Sequence, residues 1–117
     1  MHELSLAEDM IQLVEETARR ENARRVKTVV VEIGRLSAVE PEALSFAFDV
    51  VKLGGPAAEA ALKIIDVPGE GTCGACGKVA VMEESYTPCP ACGSFDMQPT
   101  GGTRMWVKEI EIEPDGG

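Results

Sequence analysis

The sequence predicts an α+β fold in which a small β-sheet with two helices is interrupted by an inserted module of the zinc-ribbon type. Three observations predict this class. Two segments have the apolar spacing of amphipathic helices, three segments have strand composition, and four cysteines stand in two pairs inside a region rich in Gly and Pro. A chain of 117 residues is long enough for one small domain that carries such an insert.

The first helix is predicted from residue 6 to about residue 22. Its apolar residues recur at three- and four-residue steps, and we expect them on one buried face: Leu6, Met10, Leu13, Val14, Thr17 and Ala18. Ser5 followed by Glu8 fits a capping box at the start of the helix. Asn22 suits a left-handed residue at its end.

A strand, a second helix and a second strand follow. Residues 26–33 (VKTVVVEI) are rich in β-branched side chains and are followed by Gly34, which predicts a strand. Pro41 marks the first position of a second helix. We expect that helix to bury Leu44, Phe48 and Val51, with Phe46 also in the core. Residues 62–67 predict the second strand.

The chain changes character between residues 69 and 102, where large apolar side chains are scarce. Such a segment cannot bury enough surface to fold without a metal or a disulfide. Strand composition returns afterwards with Trp106, Val107, Ile110 and Ile112, and we expect a bulge near Lys108 and Glu109, where the alternation slips. We therefore predict one domain from residues 1–68 and 103–117, and a metal-binding domain from residues 69–102.

The net charge excludes some classes of partner. Twenty acidic residues outweigh eleven basic ones, which gives a formal charge of −9. A field of that sign disfavours nucleic acid and anionic membrane as partners. The sequence shows neither a membrane-spanning apolar run nor an export leader, so we expect a cytoplasmic protein in a reducing compartment.

The four cysteines form two Cys-x-x-Cys-Gly knuckles, Cys73/Cys76 and Cys89/Cys92. Two such pairs supply a tetrahedral shell of four thiolates, which is typical of structural zinc. A mononuclear iron site uses the same shell, and a disulfide or a redox dithiol is a further alternative. Four filled positions leave no room for chemistry, so the site is predicted to be structural.

The N-terminus offers a second metal site. His2 is the sole histidine, and its large side chain should keep Met1 in place. The Met1 amine, the His2 amide and the His2 imidazole then close fused five- and six-membered chelate rings, and a planar nitrogen shell suits Ni(II) or Cu(II). The Glu3 amide or a nearby carboxylate is a candidate fourth donor. The alternative is a frayed terminus without function.

We find no pattern that predicts an enzyme. The sequence contains no Ser/His/Asp arrangement, no phosphate-binding Gly-rich loop and no cysteine outside the two knuckles to act as a nucleophile.

Five stretches of the chain together resemble the HypA/HybF family, the nickel-insertion accessory proteins of [NiFe]-hydrogenase maturation. They are the opening MHELSL, the segment VEIG at residues 31–34, the segment VEPEALSFAF at residues 39–48, and the two cysteine pairs. The similarity extends from Met1 to the closing VKEIEI at residues 107–112, and the joint occurrence of the MHE start and this cysteine pattern is specific.

The resemblance implies a nickel metallochaperone that carries Ni²⁺ as transient cargo and holds a structural Zn²⁺. It implies nickel ligands at Met1, His2 and Glu3, with Glu40 as an acidic group near the nickel. The implied zinc ligands are Cys73, Cys76, Cys89 and Cys92. The implied partners are a HypB-type GTPase and the hydrogenase large-subunit precursor. Some relatives also serve urease, which adds urease accessory proteins. The alternative function is a zinc-ribbon adaptor between proteins, with an inert N-terminus.

Overall fold

The computed structural model describes residues 2–114, which form two helices and six strands. In chain order these are α1 (His2–Arg20), β1 (Ala23–Gly34), α2 (Pro41–Val51), β2 (Ala61–Val67), β3 (Gly69–Cys73), β4 (Val79–Met82), β5 (Met97–Gly101) and β6 (Met105–Pro114). The strands make two three-stranded sheets, one in the order β2-β1-β6 and one in the order β4-β3-β5. The predicted α+β class is confirmed.

The chain divides into two compact units. Among the described residues, the first unit comprises residues 2–31, 39–65 and 106–114, and the second comprises residues 32–38 and 66–105. The second unit therefore contains the whole cysteine-bearing segment, together with a short stretch at the end of β1 and after it.

Helix α1 has the predicted amphipathic character but begins earlier than predicted. Its buried residues are Ala7, Met10, Ile11, Val14 and Ala18, whereas Leu13 is 45% exposed. The predicted cap at Ser5 is wrong, because the helix already begins at His2 and places Ser5 inside it, exposed to solvent. Asn22 takes the left-handed conformation predicted for it, with φ = 52°.

Helix α2 begins at Pro41, as predicted. Its inner face buries Leu44, Ala47 and Phe48. The prediction of a buried Phe46 is wrong, since this side chain is 74% exposed. Phe46 and Phe48 are two residues apart, which is about 200° around a helix, so they cannot share one face.

Strands β1 and β2 cover the predicted segments and extend slightly beyond them. The last strand, β6, runs without interruption from Met105 to Pro114, and its burial pattern slips at Lys108 and Glu109, which are both exposed. The bulge expected there stays a prediction. Trp106 is 48% exposed, so it contributes less to a core than the sequence suggested.

The second unit is built on a small antiparallel sheet, in which β3 pairs with both β4 and β5. Its buried hydrophobic cluster is small: Cys73, Met82, Cys89 and Met97, with Leu36 and Ala80 packed against them. Two of these four buried residues are cysteines of the knuckles. The thiols therefore form part of the core of this unit.

Both ends of the cysteine-bearing segment are held by the same short stretch of chain. The Arg35 N–H donates to the carbonyl of Val67 at 2.9 Å, and the Leu36 N–H donates to the carbonyl of Gly102 at 2.8 Å. Because Val67 precedes the segment and Gly102 ends it, two consecutive amides bring its entry and exit close together.

Candidate metal centres

The two knuckles fold in the same way. In the first, the Cys73 N–H donates to the Lys78 carbonyl and the Gly77 N–H donates to the Cys73 carbonyl, both at 2.8 Å. In the second, Cys89 N–H donates to Ser94 and Gly93 N–H donates to Cys89, again at 2.8 Å. Each turn is closed by backbone bonds, so each presents its pair of thiols in a defined geometry.

The glycine after each pair has a left-handed backbone conformation. Gly77 has φ = 79° and Gly93 has φ = 77°, in the left-handed region that L side chains rarely adopt. This conformation turns the chain back at the end of each knuckle, toward the hydrogen bond that closes it.

The four thiols converge on one point. The Sγ atoms of Cys73 and Cys92 are 3.7 Å apart, those of Cys76 and Cys89 are also 3.7 Å apart, and all four lie within 4.8 Å of one another. A tetrahedral ion with Zn–S bonds of about 2.3 Å requires sulfur–sulfur distances of about 3.8 Å. The four cysteines are thus positioned to bind one metal ion. All four are free, with no disulfide among the described residues.

Backbone amides stabilise the thiolate form of one cysteine in each knuckle. The Cys76 N–H, at 3.4 Å from the Cys73 sulfur, and the Ala75 N–H, at 3.3 Å, lower the pKa of Cys73. The corresponding amides, chiefly that of Cys92, lower the pKa of Cys89 to about 6. These two sulfurs are the buried ones, whereas Cys76 and Cys92 are exposed. A buried thiolate depends most on such donors, because water does not replace them.

The predicted N-terminal ligands lie at the start of α1, although Met1 itself is outside the described residues. His2 is the first residue of the helix, and its imidazole is largely exposed, with Nδ1 3.7 Å from Glu3 Oε2. Glu3 is the next residue along the helix. In the first turn of an α-helix the backbone N–H groups have no intrahelical acceptor. The backbone nitrogens of His2 and Glu3 therefore take no part in the hydrogen bonds of the helix.

The Glu3 carboxylate forms a contact that sequence reasoning missed. It accepts a hydrogen bond from the backbone N–H of Glu40 at 3.0 Å, and this bond lowers the pKa of Glu3. The contact joins the first turn of α1 to the residue that precedes α2. Nothing in the local spacing could reveal it, because the two residues are 37 positions apart.

Glu40 occupies the N-cap position of α2, with an extended backbone and no hydrogen bond from its side chain to the helix. The Glu40 carboxylate therefore does not cap α2 in this structure. The structure brings the Glu40 backbone to Glu3 and leaves Glu40 exposed.

Together, the α+β fold and the four-thiol cluster define a small metal-handling protein, and the comparisons with known proteins identify its class as metallochaperone. A family model described as "Hydrogenase/urease nickel incorporation, metallochaperone, hypA" matches residues 1–112. The chain belongs to the HypA family, whose members are metallochaperones rather than enzymes.

The curated relatives match over nearly their whole length. The chain is 63% identical, over 113 residues, to the hydrogenase maturation factor HypA of Dechloromonas aromatica, covering 97% of this chain and all of that protein. It is 49% identical, over 112 residues, to the HypA of an Azoarcus species, covering 96% of this chain and 98% of the relative.

Solved structures agree with this assignment. The solution structure of the Ni metallochaperone HypA from Helicobacter pylori superposes with a TM-score of 0.68 at 29% identity, covering 97% of this chain and 98% of the other. A second solution structure of a HypA protein superposes with a TM-score of 0.69 at 30% identity. No helix among residues 2–114 is long and apolar enough to cross a membrane.

Proposed function

We propose that this protein binds Ni²⁺ at its N-terminus and delivers it during maturation of [NiFe]-hydrogenase. The proposed ligands are the Met1 amine, the backbone nitrogen and imidazole of His2, and the backbone nitrogen of Glu3. The observation that carries this proposal is the position of His2 and Glu3 in the first turn of α1, where backbone nitrogens are free of helical hydrogen bonds. Metal binding at these nitrogens breaks no bond of the helix.

The contact between Glu3 and Glu40 supports the same site. A terminus that is free to move would lose conformational entropy when it closes around an ion. Here the Glu3 carboxylate is bound to the backbone of Glu40, so the residue that supplies the fourth nitrogen is already held in place. Consecutive amine, amide and imidazole donors favour a planar shell, which Ni(II) accepts and tetrahedral Zn(II) does not.

Zinc is the proposed resident metal of the second site, with Cys73, Cys76, Cys89 and Cys92 as its ligands. The sulfur–sulfur distances of 3.7 Å fit a tetrahedral zinc ion. A closed shell of four thiolates stabilises the fold and leaves no position for a substrate. We accordingly assign nickel handling to residues 1–68 and 103–117, and zinc binding to residues 69–102.

The proposed partners follow from the family. A HypB-type GTPase and the hydrogenase large-subunit precursor are the expected partners in the cytoplasm, and the urease accessory proteins are further candidates. The description of the matching family model names both hydrogenase and urease, and the curated relatives are named hydrogenase maturation factors. The acidic chain suits docking to basic surfaces, with an attraction that weakens as salt is added.

Nickel titration of zinc-loaded protein by calorimetry tests the proposal. We expect one nickel per chain, with the diamagnetism and weak yellow absorption of a square-planar d⁸ ion. Acetylation of the N-terminus, or a Gly-Ser extension before Met1, should abolish this binding. His2→Ala should also abolish it, without changing the zinc content. Glu3→Gln is the matched control, because it keeps the backbone nitrogen and should retain the planar spectrum.

One result would overturn the nickel assignment. If the acetylated protein binds nickel as tightly as the free one, the site lies elsewhere and the N-terminus is inert. The zinc-ribbon adaptor would then be the better description of the protein.

A further inference from the structure

Helix α2 carries an apolar surface that the proposed metal sites do not use. Phe46 is 74% exposed, Val50 is 52% exposed, and Leu53, just beyond the helix, is 69% exposed. With the exposed Ala43 they form what we call the α2 seam: Ala43, Phe46, Val50 and Leu53. Isolated apolar residues at a surface are normal, but an aligned set on one face is typical of an interaction site.

The spacing of the α2 seam indicates what binds to it. Its residues follow one another at steps of three, four and three, which is the repeat of the a and d positions in helix–helix packing. The C-cap Lys52 keeps right-handed helical backbone angles (φ −75°, ψ −15°), and the exposed Leu53 follows it directly. A partner helix with apolar residues at the same repeat can pack its side chains between those of the seam.

The charges beside the α2 seam are acidic on both sides. In this repeat Ala43 and Val50 are the a residues. On one side, Glu42 and Asp49 directly precede them, at positions that flank a helix–helix interface. On the other side, Glu8 and Glu15 of α1 line a groove together with Val51.

Lys52, the basic residue nearest to the seam in the sequence, is directed back toward the protein. The Nζ of Lys52 lies 3.2 Å from Asp49 Oδ1, donates to the Ala60 carbonyl at 2.9 Å, and sits 5.4 Å from the centroid of the Phe48 ring. Its side chain is only 16% exposed. The surface that remains for a partner is apolar in the middle and carries acidic side chains at its edges, with part of the Asp49 charge offset by Lys52.

We propose that the α2 seam docks an amphipathic helix of another protein, with an apolar stripe at three- and four-residue steps and Lys or Arg on both flanks. A second copy of this chain fits poorly. A two-fold contact places the same patch against itself, so the carboxylates of Glu42 and Asp49 would face those of the second copy. This surface is separate from the proposed nickel ligands, and its test needs no metal transfer.

Site-specific photocrosslinking in cells tests the proposal on the full chain. Benzoylphenylalanine is placed at Val50 and, as a control, at Phe95, which is 77% exposed and lies in the second unit. We expect the Val50 probe, and not the Phe95 probe, to capture a helical segment of another protein that has the apolar repeat and basic flanks. A synthetic peptide of that segment then allows its affinity to be measured by fluorescence anisotropy.

Substitutions in and beside the seam should change the affinity for that peptide by defined amounts. Phe46→Ser should weaken binding about 30-fold, as expected for a central aromatic anchor, while Phe95→Ser leaves it unchanged. Glu42→Lys should weaken binding about 5-fold and flatten its salt dependence. Four results would overturn the proposal: capture of a second copy of this chain, capture of an acidic or extended segment, no adduct above the Phe95 background, or equal effects of the two Phe→Ser variants.

Discussion

The two units of the protein are stabilised by different means. The first buries large side chains between helices and sheet, among them Val14, Val26, Val29, Leu44 and Phe48. The core cluster of the second consists of two methionines and two cysteines of its knuckles. Full burial of a large apolar side chain is worth about 1.5–3 kcal/mol, so the first unit can fold on apolar burial, whereas we expect the second to need the metal proposed for its four cysteines. The four predictions below test this difference, beginning with the largest expected effect.

Loss of the proposed zinc should separate the two units. Zinc binding to small metal-dependent modules is worth on the order of 10 kcal/mol, so Cys73→Ser should unfold residues 69–102 while the helices of the first unit largely persist. Zinc analysis measures the metal content, and backbone amide hydrogen exchange shows which of the two units remains folded. His2→Ala is the control and should keep about one zinc per chain. Full zinc content in Cys73→Ser, or a protected cysteine segment without metal, would contradict this expectation.

A core substitution in the first unit should destabilise that unit and leave zinc bound. Phe48 is completely buried, so Phe48→Ala should lower the free energy of unfolding by about 3–5 kcal/mol without releasing zinc. Phe46→Ala, two residues away and mostly exposed, should change it by no more than about 0.5 kcal/mol. Urea unfolding, followed by far-UV circular dichroism, measures the free energy of unfolding of both variants. Similar losses in both variants would mean that the assigned inner face of α2 is wrong.

The knuckle glycines allow a finer test of the second unit. Gly77→Ala places a side chain in the left-handed region, at a cost of about 1–2 kcal/mol, although a Cβ there would meet nothing within 4 Å. Gly77→Asn should cost less, because Asn tolerates that conformation. Competition with a chromophoric zinc chelator measures the loss as weaker zinc retention. Equal retention in both variants would show that the sign of φ does not govern this position.

The smallest effect is expected at Glu40. Since its carboxylate does not cap α2, Glu40→Ala should leave the thermal stability nearly unchanged, and it should weaken nickel binding less than His2→Ala does. Differential scanning calorimetry and nickel titration make the two comparisons. A stability loss of about 1 kcal/mol with unchanged nickel affinity would instead favour a capping role in solution.

Local patterns predicted much of this structure. The knuckles followed from spacing, because two intervening residues and a glycine determine a turn within one short segment. Pro41 marked the start of α2 for an equally local reason. The error at Phe46 was avoidable, since helical periodicity alone separates it from Phe48.

Other features depend on contacts that no local pattern encodes. The start of α1 was misplaced because Ser5 and Glu8 match a capping box, whereas the helix extends back to His2 and its first turn is bonded to a distant residue. The Glu3 carboxylate and the Glu40 amide meet only in the folded chain. The same is true of the paired hydrogen bonds of Arg35 and Leu36.

Those paired bonds have a consequence for the order of folding. Strand β6 must reach the sheet across the whole cysteine-bearing segment, and the entropy lost in closing a loop grows with its length. Once metal folds the segment, its entry at Val67 and its exit at Gly102 are both held by residues 35 and 36. The effective loop then shrinks from about thirty residues to a few, which is worth about 2 kcal/mol. We therefore expect zinc that is supplied during synthesis to speed the pairing of β6, although β6 contains no zinc ligand.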